Sequence, residues 1–174
     1  MAILKVSRMG HPVLRQKARA VERSEIKDPR FQKLLDDMLD TMREYNGVGL
    51  AAPQVHEALR VFVAMLDSGD DAEASVLINP IITPVDDATV EGWEGCLSIP
   101  EIRGRVLRAR KIVVKAHDRK GRVVEIEADD FPARVIQHET DHLDGMLFLD
   151  RMTSLSSLTY LDEYSRYHAK DSDD

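Results

Sequence analysis

Two histidines four residues apart, in His138-Glu139-Thr140-Asp141-His142, constrain this chain more than any other feature. On a helix that spacing puts both imidazoles on one face, one turn apart, where they can grip a single metal ion. Two His leave a metal under-coordinated, so a third ligand has to come from elsewhere in the fold. The chain has one cysteine, Cys96, in Glu94-Gly95-Cys96-Leu97-Ser98. Cys96 with His138 and His142 makes a three-ligand set that leaves room for water, the pattern of a catalytic site rather than a closed structural one. Glu139 is placed to handle protons beside the ion without ligating it. Glu94 suits a partner that orients a metal-bound His, and Gln137 is expected to do the same.

A third segment, Asn46-Gly47-Val48-Gly49-Leu50-Ala51-Ala52-Pro53-Gln54, is poor core material. Its glycines let another backbone approach closely. A dinucleotide-binding loop does not fit: the third glycine is missing, and a helical pattern precedes the segment where a strand is needed. Val48 and Gly49, with Gly95 beside Cys96, instead offer open backbone on which a peptide can add as a short extra strand. On a helix spanning 131–145, Phe131, Arg134, Val135, His138 and His142 share one stripe. Phe131 and Val135 are expected to wall a side-chain pocket one to two turns before the metal.

Together, Gly47 to Gln54, Glu94 to Ser98 and Gln137 to Gly145 resemble the peptide deformylases in order, spacing and every fixed position. The opening Arg8-Met9-Gly10-His11-Pro12-Val13-Leu14-Arg15 is similar to that family's N-terminal segment, so the resemblance spans roughly residues 3 to 152. It implies a metal-dependent hydrolase that removes the formyl group from formyl-methionyl nascent peptides and releases formate. The Phe131–Val135 pocket would take the methionine, with Val48 as another wall. Gln54 and the backbone N–H of Leu97 would donate to the developing charge on the formyl oxygen. Asp141 would pair with Arg108. One divalent ion is implied, Fe(2+) in the active form, with Zn(2+), Ni(2+) or Co(2+) as substitutes; the usual affinity order favours zinc on such ligands. The same helix pattern serves zinc peptidases, which would require Glu163 as third ligand and leave Cys96 and the glycine segment unexplained.

At 174 residues the chain is expected to be one catalytic domain with a core that needs no staples, ending in a frayed acidic tail from about residue 169. A solitary Cys excludes an internal disulfide and fits a cytoplasmic setting. The first residues are too short and mixed for a signal peptide, and no apolar run reaches membrane-spanning length. A net charge of −7 argues against direct DNA binding. Transient proximity to the ribosome follows only from the implied substrate.

Helical spacing predicts a helix from Pro29 to about Tyr45, with Gly47 taking a left-handed turn, and a second from Asp130, as cap, to Leu143. Strands are expected at 60–66, at 76–80 where Pro80 stops the run, and in a hairpin of 111–117 and 122–126. A polar loop is expected at 68–73, and a last helix at 154–168 that packs Leu155, Leu158 and Leu161 on the domain. Strands and helices segregate, which gives an α+β fold of mostly antiparallel sheet around the metal-binding helix.

Overall fold

Helix α1 (Pro29–Glu44) begins where Asp28 accepts a hydrogen bond from the Arg30 N–H at 2.7 Å, with Pro29 at the first helical position. It buries Phe31, Leu35, Met38 and Met42 on one face. Leu35, Met38 and Met42 are fully buried, each contributing about 1.5–3 kcal/mol. Asn46, at φ 52°, makes the left-handed turn that ends this region, not Gly47. Asn tolerates that conformation, and Gly47 serves close packing instead: a Cβ there would meet Leu97 Cδ1 at 3.0 Å.

The computed structural model describes residues 2–66 and 73–169. The loop expected at 68–73 and the acidic tail lie largely outside them. Five strands form one antiparallel sheet in the order β1 (Gly49–Ala51), β2 (Val61–Ala64), β3 (Ser75–Pro84), β6 (Lys111–His117) and β7 (Val123–Asp129). A second antiparallel sheet has the order β4 (Thr89–Cys96), β5 (Ile99–Ala109) and β8 (Thr159–Tyr160).

Both faces of the larger sheet are covered. Val61, Val63 and Ile78 pack with Leu35, Met38 and Met42 of α1. Phe62, Leu77, Ile112 and Val114 face the other way, onto Ala133, Ile136 and Leu143 of helix α2 (Asp130–Leu143). Strand alternation divides one strand between two cores, so β2 is buried at every position. A short helix α3 (Phe148–Arg151) closes a third cluster in which Phe148 and Leu147 meet Val106 and Ile99. Gly145, at φ +75°, turns the chain after α2; a Cβ there would meet the Arg15 carbonyl oxygen at 2.8 Å.

Four further expectations are corrected. Pro80 does not end β3: the register shifts between Ile78 and Ile81, and a bulge tolerates a residue without an N–H. Strands β4 and β5 fill 89–109, where the sequence had suggested none. Asp130 is the first residue of α2 rather than its cap, at φ 48°, and its carboxylate pairs with Arg110. The long C-terminal helix is instead a turn at Leu155–Ser157, then β8, then helix α4 (Leu161–Tyr167). Leu155 is 68 % exposed, so the three leucines do not form one buried stripe.

Candidate metal centre and catalytic pocket

Helix α2 carries His138 and His142 one turn apart, with ring centroids 5.0 Å from each other. Strand β4 ends at Cys96, whose Sγ lies 3.2 Å from His142 Nε2. The ligand atoms of Cys96, His138 and His142 all fall within 4.8 Å of one another. Glu163 takes no part; its carboxylate pairs with Arg166 at 3.0 Å on α4. His138 Nδ1 is 2.9 Å from Glu94 Oε2, which fixes the ring and leaves Nε2 for the cluster.

The charges suit a cation. Burial pushes the Cys96 thiol up, but the charge of His142 and hydrogen bonds from both His outweigh it and hold the thiol well below its ordinary range. Burial likewise opposes protonation of His138, yet its bonds to Cys96 and Glu94 raise it well above an ordinary imidazole. A thiolate with two imidazoles is an N/S donor set for a transition metal. His142 Nδ1 and Glu139 Oε2 are buried without a hydrogen-bond partner among the described residues. A thiolate, two imidazoles and a partnerless carboxylate converging in the interior are costly without something to bind, and the residues present fit a metal.

Glu139 is 4 % exposed, and burial pushes its carboxyl up to about 7. Its carboxylate lies against Gly49, in the space a Cβ would occupy. That contact gives Gly49 a purpose the open-backbone expectation missed. Gln54 is buried. Its Oε1 accepts from the Ala51 N–H at 2.8 Å, which turns its Nε2 toward Cys96 Sγ at 3.5 Å and Ser98 Oγ at 3.3 Å.

Next to the cluster lies a cavity of about 830 Å³. Val48, Gly49, Gly95, Leu97, Phe131 and Val135 all line it, together with Gln54, Cys96, His138 and Glu139. Val48 and Phe131 are half exposed at its mouth, whereas Val135 is buried. The cavity runs between β1, at the edge of one sheet, and β4, at the edge of the other.

A buried ionic chain supports the candidate metal ligands. Arg108 donates to both Glu94 oxygens at 2.9 Å and also to Asp141. Arg151 donates to Asp141 at 2.7 Å, and Arg134 to Glu94 at 2.9 Å. Burial pushes Glu94 up, but Arg108 and His138 outweigh it and hold its carboxyl well below the usual range. Asp141 and Arg108 are thus a buried pair. The remaining Arg134 bonds go to the carbonyls of Val90, Gly92 and Val106, so this residue ties β4 to β5 and braces Glu94. Gly92 makes that possible, since a Cβ there would meet the guanidinium at 2.8 Å. Gln137 does not reach a metal ligand; it both donates to and accepts from the Ala109 main chain. Arg151 carries no motif that sequence reasoning could have used. Arg103 lies over Gly95, occupying the room that glycine leaves.

The model of the family described as polypeptide deformylase matches residues 3–157. Peptide deformylase 2 of Nostoc sp. is 42 % identical over 125 residues, which are 68 % of this chain and 69 % of that protein. The solved structure of the Thermotoga maritima peptide deformylase superposes with a TM-score of 0.82 at 40 % identity, covering 88 % of this chain and all of its own. A Met-Ala-Ser-bound class I type b peptide deformylase from Acinetobacter baumannii gives 0.81 at 39 % identity, covering 87 % and 99 %.

Proposed function

This chain belongs to the polypeptide deformylase family, and from that membership we propose the following roles for its residues. The protein is a hydrolase that removes the N-terminal formyl group from nascent peptides. Cys96, His138 and His142 hold one divalent metal ion, Fe(2+) in the active form, with Zn(2+), Ni(2+) or Co(2+) able to take its place. When bound, the ion supplies Lewis acidity for activating water and polarising the formyl oxygen.

The other steps are carried by side chains and backbone. Glu139 takes a proton from the attacking water and passes it to the leaving amine; a carboxyl pushed up to about 7 holds and gives up a proton near neutral pH. The Gln54 amide and the Leu97 N–H donate to the formyl oxygen as negative charge grows there. Phe131, Val135 and Val48 enclose the methionine side chain. The peptide main chain lies as an added strand between β1 at Gly49 and β4 at Gly95, a pairing indifferent to most side chains. Acinetobacter's Met-Ala-Ser-bound relative supports a peptide in this cavity. Its substrates place the enzyme in the cytoplasm, in passing proximity to ribosomes. No helix among the described residues is long and apolar enough to cross a membrane.

The observation that carries this reading is the partnerless, buried Glu139 carboxylate beside three converging ligands in an open cavity. The test is formate release from formyl-Met-Ala-Ser by protein loaded with iron without oxygen. Release of formate with the peptide otherwise intact is expected; cleavage of an internal peptide bond instead would make the protein a peptidase.

A further inference from the structure

Beyond residue 157, where the family match ends, the chain returns to the peptide cleft. Strand β8 pairs with β5, setting Tyr160 opposite Ile102 and Thr159 opposite Arg103. Helix α4 then brings Leu161 and Tyr164 to the wall of the 830 Å³ cavity. The segment is clasped to β4 by Trp93, whose ring meets Tyr164 at 5.0 Å and His168 at 5.1 Å. Arg105 stacks over the same ring at 5.1 Å.

Strand geometry decides what this wall faces. Glu94 points from β4 to α2, where it binds His138. Trp93 and Gly95 therefore point to the opposite face, which they share with their cross-strand partners Arg105 and Arg103. A peptide strand added along the free edge of β4 alternates in the same way. Its methionine side chain enters the α2 side, toward Phe131 and Val135. The side chain of its second residue then emerges on the Trp93 side, where α4 stands.

We infer that α4 builds a subsite for the second residue of the substrate, with Leu161 and Tyr164 as its walls, selecting a large apolar side chain there. This rests on the deformylase reading and on the strand pose proposed above. Leu161, Tyr164 and the Trp93 ring supply apolar surface, and a side chain such as Leu buries against them what Gly lacks. Apolar complementarity of that size gives about tenfold discrimination. The selectivity lies in KM, because the subsite holds substrate and transition state alike.

The test compares formyl-Met-Leu-Ser with formyl-Met-Gly-Ser in iron-loaded full-length protein. Wild type should favour the Leu peptide by about tenfold in kcat/KM. In Tyr164→Ala and Leu161→Ala that ratio should fall to about threefold or less, chiefly through KM, whereas Leu155→Ala, at an exposed turn, should keep it. Trp93 is the chain's only tryptophan and stands in the wall, so its fluorescence reports occupancy without turnover. Met-Leu-Ser should perturb it at lower concentration than Met-Gly-Ser, and Tyr164→Ala should erase the difference. A wild-type ratio near one, or a ratio unmoved by both wall variants, overturns the subsite. If no formate is released from either peptide, the deformylase reading fails, and the fluorescence difference still decides the subsite.

Discussion

Replacing Arg108 by Ala should unfold more than a surface ion pair would predict. The Arg108 side chain is 3 % exposed, and its partners Glu94 and Asp141 are 4 % and 7 % exposed. Breaking a buried pair from one side leaves uncompensated charge and costs about 3–5 kcal/mol. Here Arg134 still reaches Glu94 and Arg151 still reaches Asp141, which places the loss near the low end, about 3 kcal/mol. For a chain of this size that is a fall in Tm of about 6–12 °C. Thermal unfolding of matched metal-free samples, followed by far-UV circular dichroism, measures it. The pH dependence has a definite sign. Glu94 is held below its ordinary value of 4.5 in the fold, so its contribution is complete above that pH and is lost as pH falls below it. The gap between wild type and Arg108→Ala should therefore be full at pH 7 and narrow under acid conditions. A Tm drop below about 2 °C at pH 7 would refute the account of a buried ionic support.

Other substitutions separate the roles inside the cavity. Glu139→Gln should keep its metal and lose on the order of a hundredfold in kcat, read by formate release against metal content. Gly49→Ala puts a methyl group where the Glu139 carboxylate lies, so kcat should fall while metal content stays at the wild-type level. Cys96→Ser exchanges a soft thiolate for a weak hydroxyl ligand; metal retention on dialysis should drop, and the thiolate-to-cobalt absorption band of cobalt-loaded protein should vanish.

Helices α1 and α2 were legible because each had a local cause. The i, i+4 histidines needed only helical geometry, and Asp28-Pro29 marked the start of α1 by cap chemistry alone. Strands β4 and β5 were not legible. Their glycines and arginines give no clean alternation, and each strand is explained by its partner rather than by itself. Arg134 shares the stripe that faces the metal, which leaves its role open, and its long side chain ends on β-strand carbonyls that no sequence pattern announces. Gln137 was misjudged for the same reason, its partner being the Ala109 backbone. At the C-terminus the leucine spacing suggested one helix. Pairing of Thr159 and Tyr160 with β5 overrides that local preference and carries the chain back to the cleft.

The central assignment is one metal ion on Cys96, His138 and His142 that turns this cavity into a deformylase. Titrating metal-free protein with ferrous iron in the absence of oxygen, while following formate release from formyl-Met-Ala-Ser, tests it directly. Activity should start near zero, rise in proportion to added iron and level off at one ion per chain, with Cys96→Ser failing to respond at the same concentrations. Full activity in the metal-free protein, or a Cys96→Ser variant that saturates like wild type, would contradict the assignment.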